Sequence, residues 1–214
     1  EARERYFYPK GANVDLIMTD ARYFFTSENV KYDIIVSEPN HPWVPYSSHL
    51  YTVEFFQEVR EHLNNGGIVS QWVPSFAFTE EAFKIFYATF DSVFPYNYGF
   101  MMEMTVLDLP IHFRDNDRLR VTQNTHMILI GSLQPLGFIY DDRVRDDLRQ
   151  IGLEEVGSLQ IFDSYEMKGF TDGARLNTDD SPILEFMTKR YNPEDRIENE
   201  LGIIDAIRKQ KGRL

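Results

Sequence analysis

Cysteine is absent from the 214-residue sequence, which excludes disulfides and thiolate metal sites and is compatible with a reducing compartment. The five histidines show no ligand spacing, so no metal is expected. Long apolar runs are missing too: none approaches the roughly 20 residues needed to cross a bilayer, and no charged-then-apolar leader opens the sequence. A cytoplasmic location is expected. Basic residues are outnumbered, 22 against 34 acidic ones, for a net charge of −12. Polyanion binding needs a basic stripe, so nucleic acid is not expected as a partner. The acidic excess could draw a cationic substrate over distance, although an ordinary acidic surface is the commoner reason for it.

The last absence is a glycine turn ahead of Asp20. A nucleotide-binding sheet normally opens with a strand, a glycine-rich turn and a helix. Gly66-Gly67 lies instead after a helical stretch and before a strand, where glycine stops helices. The opening residues EARERYFYPKG read as the end of a helix. The sequence is therefore expected to start inside a larger fold, without part of its cofactor cradle, and to bind such a ligand weakly or not at all by itself.

What is present is an alternation of strands and helices. Val14 to Met18 reads as a strand, followed by a short helix from Asp20-Ala21-Arg22, and Ile34 to Ser37 as a second strand. The run Ile34-Ile35-Val36 lacks polar alternation, which predicts a strand covered on both faces. Thr52 caps a helix from Val53 to Leu63 with apolar residues at Phe55, Phe56, Val59 and Leu63. Ile68 to Val73 follows as a strand, and Thr79 with Glu80 and Glu81 starts a helix running to about Asp91. Residues 93–104 and 125–131 predict an antiparallel hairpin at the sheet edge, joined by a polar loop. Asp141 to Ile151 reads as a helix, and residues 152–180 as loop-rich. Residues 1–214 are expected to form one domain with a charged C-terminal helix within 190–214, spanning Pro193 to Lys211. The fold class is α/β: a doubly wound, mostly parallel, Rossmann-like sheet with right-handed crossovers and an antiparallel edge hairpin.

Function concentrates at the carboxyl ends of parallel strands, which directs attention to YDIIVSEPNHPW, residues 32–43. Its strand runs into carboxylate, amide, imidazole, proline and indole, with Glu38, Asn40 and His41 at the strand's end. Together with VDLIMTDARYFF, LYTVEFFQEVREHLNNGGIVSQWVP and LNTDDSPILEF, this segment resembles the spermidine/spermine synthase family, and in particular bacterial synthase-like domains often fused to membrane segments. The resemblance covers most of residues 14–187 and implies the class I S-adenosylmethionine methyltransferase fold. It implies transfer of an aminopropyl group from decarboxylated S-adenosylmethionine to a small-molecule amine acceptor. It further implies a homodimer, and membrane attachment of a longer parent.

Carried onto this sequence, the resemblance places Asp20 at the adenine amino group, with Ala21 backbone and Ser37 on the same cofactor side. The competing role of Asp20 is a helix N-cap. Glu38 falls where the family has an aspartate that takes a proton from the attacking amine; a carboxylate can hold an ammonium and drain its proton. Its extra methylene carries the carboxylate about 1.5 Å further out, and a solvated loop residue is the alternative. His41 departs from the family, whose polyamine-making members have a second aspartate there; imidazole is a poor substitute facing an ammonium. Gln71 matches a glutamine that reaches the acceptor, and Trp72 beside it lines the pocket. Tyr51 and Trp43 are expected to offer π faces to a sulfonium or amine, against the commoner fate of aromatics in a core. Asp179 and Asp180 in NTDDSP are expected to fix a turn before a strand-like ILEF. Methyl transfer from S-adenosylmethionine, or a non-catalytic domain acting in binding or assembly, are the alternative functions.

Overall fold

Three helices begin where a short polar side chain takes up backbone N–H groups that have no partner inside the helix. The computed structural model describes residues 13–104, 124–137, 160–187 and 193–212. Asp20 accepts from the backbone N–H groups of Arg22 and Tyr23 to start α1 (Ala21–Ser27). Thr52 accepts from Phe55 at the start of α2 (Val53–Glu61), and Thr79 from Ala82 at the start of α3 (Glu80–Asp91). Glu80 and Glu81 lie in the first turn of α3, where the helix dipole favours negative charge.

Helix α2 is shorter than its apolar spacing predicts, because His62 ends it and Leu63 already belongs to β2 (Leu63–Val73). Leu63 pairs with Tyr32 on β1 (Tyr32–Ser37), and the next paired position is Ile34 with Ile68. The surplus residues on β2 bulge between those two pairs. Gly66 supplies the positive φ of 80° the bulge needs, and a Cβ on Gly67 would meet the carbonyls of Asn64 and Tyr32 at 3.0 and 3.1 Å. The glycine pair therefore shapes a strand irregularity rather than stopping the helix.

The remaining strands are β3 (Tyr96–Met104), β4 (Asn124–Ser132) and β5 (Gln160–Asp163), giving the order β1-β2-β4-β3-β5. The α/β class holds, with β1 and β2 parallel. The pairs β2/β4, β4/β3 and β3/β5 are antiparallel, a wider antiparallel region than the expected hairpin. The β3/β4 hairpin does form, but β4 inserts beside β2, and β5 adds outside β3. Residues 152–180, expected to be loop-rich, thus hold a strand at 160–163. Four residues carry too little periodicity to announce it.

Three other expectations change. Val14 to Met18 joins no ladder among the described strands, and Leu16, Ile17 and Met18 are exposed; an apolar run becomes a strand only where a neighbour offers its backbone groups. Ile34 and Val36 are 61% and 72% exposed, so among the described residues β1 is covered on the Ile35 side alone. The strand-like ILEF is helical, forming α4 (Ile183–Met187). Pro182 directly ahead suits a helix start, and Asn177 Oδ1 accepts from the Leu184 N–H. The C-terminal helix α5 spans Pro193–Lys211 as expected. The helix proposed for 141–151, most of the loop between β3 and β4, and the opening residues fall outside the described part of the chain.

Ile35 packs against a buried cluster that includes Val69, Leu129, Phe56, Phe86, Phe90 and Phe94. Phe56 meets Phe90 edge-on, with ring centroids 5.2 Å apart and planes at 87°, the arrangement the ring quadrupole favours. Burying each such side chain stabilises the fold by about 1.5–3 kcal/mol. No described helix is long and apolar enough to cross a membrane.

Candidate functional site

Parallel pairing brings the carboxyl ends of β1 and β2 to one edge, with Ser37 opposite Gln71. Glu38 leaves β1 there, and Pro74-Ser75-Phe76 leaves β2. Glu38 is exposed and Ser37 half-buried.

The loop beyond Glu38 is held from beneath. Fully buried Tyr51 donates its hydroxyl to the Asn40 carbonyl at 2.9 Å, and its ring meets Phe86 in the core. Burial pushes that hydroxyl's pKa far up, so Tyr51 remains a neutral donor. Tyr51 therefore presents no face to a ligand, contrary to the expectation for it; it positions the loop. Val44 N–H donates to the His41 carbonyl at 2.9 Å and Ser47 N–H to that of Val44 at 3.0 Å. Between them Tyr46 adopts φ 70°, a left-handed conformation costing a non-glycine residue about 1–2 kcal/mol. Strain of this kind collects where a loop's shape is used.

On that support the loop builds an aromatic wall. The His41 ring stacks on Trp43 at 4.4 Å and 13°, lies 5.6 Å from Trp72, and meets Phe76 edge-on at 5.4 Å and 82°. Burial lowers the basicity of His41, leaving the imidazole neutral at pH 7. Its Nδ1 is buried without a hydrogen-bond partner.

Two further polar atoms share this condition. Gln71 is fully buried and donates Nε2–H to the Trp72 carbonyl at 2.8 Å, while its Oε1 has no partner. Ser75 Oγ, next to Phe76, is likewise buried and unpaired. Each buried polar group left so costs about 1–3 kcal/mol. All three stand at or beyond the carboxyl ends of β1 and β2, where water or a polar ligand supplies the partner such groups take.

Asp20 and Ala21 stand on α1 and make no hydrogen bond to this loop among the described residues. The Oδ1 of Asp20 takes both capping N–H groups at 3.0 Å, so the capping role is real, and Oδ2 retains acceptor capacity. The position of α1 is set by Arg22. Its guanidinium pairs with Glu58 at 2.7 and 3.2 Å and with Asp179 at 2.8 and 2.9 Å. The Glu58 bond, opposed by burial and reinforced by Asp179, holds Arg22 firmly protonated.

Asp179 does more than fix a turn. Besides Arg22 it accepts from Thr52 Oγ1 at 2.8 Å, and its own N–H donates to Glu54 at 3.0 Å. Buried Asn177 donates to the Tyr51 carbonyl at 2.9 Å and accepts from Leu184 at 3.1 Å, while its carbonyl receives the Val53 N–H. The NTDDSP segment is thus the clasp joining α1, α2, α4 and the helical turn Ser47–Tyr51 under the site. The sequence reading missed Arg22, Asn177, Ser75 and Phe76. The last two stood directly after the Gln71-Trp72 strand end, a readable signal, whereas long-range partners such as Arg22 and Asp179 leave none.

The sequence matches a family described as the spermine/spermidine synthase domain over residues 5–108. The polyamine aminopropyltransferase of Saccharolobus solfataricus is 36% identical over 102 residues, covering 44% of this chain and 34% of that protein. The polyamine aminopropyltransferase of Saccharolobus islandicus strain Y.N.15.51 is 34% identical over 101 residues, with the same coverages of 44% and 34%. The chain therefore spans about a third of the length of the curated relatives it matches. Among solved structures, a probable spermidine synthase from Corynebacterium glutamicum has a TM-score of 0.52 at 19% identity, covering 83% of this chain and 58% of its own, a likeness of fold. The family match begins before α1 and runs through the strand edge with its carboxylate and aromatic loop: over residues 5–108, this chain is similar to the spermine/spermidine synthase domain.

Proposed function

We propose that the intact protein moves an aminopropyl group from decarboxylated S-adenosylmethionine to an amine, with the β1–β2 edge as the acceptor side. The observation that carries this reading is Glu38, an exposed carboxylate at the end of a parallel strand beside a wall of rings and unpaired buried polar atoms. The sulfonium donor supplies the electrophilic carbon; as the amine nitrogen bonds to it, the carbon–sulfur bond breaks and leaves a neutral thioether.

The protein's share is orientation and proton traffic. Glu38 binds the acceptor ammonium and takes its proton, freeing the lone pair. Trp43 and Trp72 exclude water and favour positive charge through their ring faces. Gln71 Oε1 offers an acceptor to an N–H at the buried end. Asp20 Oδ2, the Ala21 backbone and Ser37 would hold the nucleoside, which the exposed, half-engaged Asp20 carboxylate fits. Dimer formation, membrane attachment of a longer parent and a cytoplasmic location belong to the same reading and are tested by the parent's mass in solution and its fractionation.

The deciding experiment incubates the intact protein with decarboxylated S-adenosylmethionine or S-adenosylmethionine and a panel of amines, with products read by mass spectrometry. The expected product is an aminopropylated amine with release of methylthioadenosine. Glu38→Gln is expected to lower kcat about 100-fold or more, the usual contribution of a general base, while methylthioadenosine binding measured by calorimetry stays. Methyl transfer from S-adenosylmethionine would replace the proposal with a methyltransferase, and no transfer at all with a binding or assembly role.

A further inference from the structure

The electrostatics of the acceptor edge are unequal along its length. Glu38 is exposed and forms no ion pair among the described residues. Three carboxylates of the neighbouring elements are engaged: Asp179 by Arg22 and Thr52, Glu58 by Arg22, and Glu185 by Ser48 at 2.9 Å. Asp20 caps α1. Beyond Glu38 the surface is Trp43, His41, Trp72 and Phe76, and the imidazole among them stacks in parallel on an indole. Burial keeps that imidazole uncharged at neutral pH.

We infer that the acceptor is a primary amine with a single positive charge and an apolar or aromatic arm, its ammonium at Glu38 and its arm along Trp43, His41, Trp72 and Phe76. The inference rests on the transfer reading above and names its substrate class. One carboxylate compensates one ammonium. A second ammonium, as in a linear diamine, would be carried onto rings and an uncharged imidazole. The attraction of a ring face for a cation is smaller than the cost of desolvating that cation without a counter-charge. An alkyl or phenyl arm has no such cost and gains by leaving water. The unpaired Nδ1 of His41, Oε1 of Gln71 and Oγ of Ser75 can serve a neutral polar group on the arm, and none carries the negative charge a second ammonium requires.

The sequence contains two tryptophans, and both stand in this wall, so intrinsic fluorescence reports its occupancy directly. The test titrates the full chain with phenethylamine and hexylamine against the straight-chain diamine of hexylamine's length, following tryptophan emission, and runs the same amines in the transfer assay of the intact protein. The monoamines are expected to change the emission at roughly tenfold or more lower concentration than the diamine, the size expected for one uncompensated ammonium. H41D should narrow or invert that ratio by supplying a second carboxylate, and His41→Gln should keep it. Should H41D fail to fold, the comparison among amines on the unaltered chain still decides. A diamine that binds as well as or better than the monoamines, or no emission change with any amine, overturns the inference. The two readings fail separately: aminopropyl transfer chiefly to the diamine refutes the single-charge acceptor and keeps the transferase, whereas selective monoamine binding without any transfer keeps the acceptor class and refutes the transferase.

Discussion

Replacing Asp179 with asparagine removes one negative charge from the clasp and leaves its shape nearly unchanged. Arg22 gives Asp179 two hydrogen bonds, at 2.8 and 2.9 Å, and Thr52 gives a third at 2.8 Å. The Asp179 side chain is 31% exposed, and Arg22 keeps Glu58, so the ion pair is worth no more than about 0.5–1 kcal/mol after solvent screening. Weakening the Thr52 bond adds up to about 1 kcal/mol. The expected destabilisation at pH 7 is thus about 0.5–2 kcal/mol, a fall in Tm of roughly 1–8 °C for a chain of this size. Burial alone would raise the Asp179 carboxyl, but the bonds from Arg22 and Thr52 and the Arg22 charge prevail and hold it below the usual carboxylate range. A depressed folded value means the contribution is fully present above the unfolded value near about 3.9 and disappears as pH falls through the folded one. The gap between the native chain and D179N should therefore be full at pH 7 and close below about pH 4. Urea denaturation at pH 7 and pH 3, followed by circular dichroism, measures both ends. Equal stability at pH 7, or a gap of undiminished size at pH 3, would show that this clasp does not work through the Asp179 charge.

Two further substitutions probe the frame of the site. Tyr51→Phe leaves the ring in the core but withdraws the donor from the Asn40 carbonyl; about 0.5–1.5 kcal/mol of stability should be lost, with faster proteolysis in the loop after Glu38, and an unchanged cleavage rate would deny Tyr51 its positioning role. Gly99→Ala places a Cβ into the Phe162 ring at the β3/β5 pairing, so overpacking should destabilise by about 1–3 kcal/mol; a chain with unaltered Tm would mean β5 shifts freely.

Local chemistry was the readable part. Thr52, Thr79 and Asp20 announced helix starts because a cap acts within three residues of itself. The strand end at Ser37-Glu38 was likewise visible, since an apolar run giving way to polar residues is a local signal. The helical spacing through Leu63 misled, because pairing with Tyr32 outweighed a continuing pattern. ILEF misled in the same way, with Asn177 capping a helix across seven residues.

By itself, then, the sequence determined most helix starts, the strand ends at Ser37 and Val73, the α/β class, the segments similar to the synthase domain, and Glu38 as the carboxylate at the strand edge. Only the tertiary structure decided which aromatics face that edge. Tyr51 and Trp43 looked equivalent as sequence, yet Tyr51 is sealed in the core and Trp43 stacks on His41. The same holds for Arg22, Asn177 and Asp179, whose long-range hydrogen bonds span 36 to 157 positions of chain. Burial and long-range pairing depend on what the rest of the chain brings to a residue, and no window around that residue carries this information.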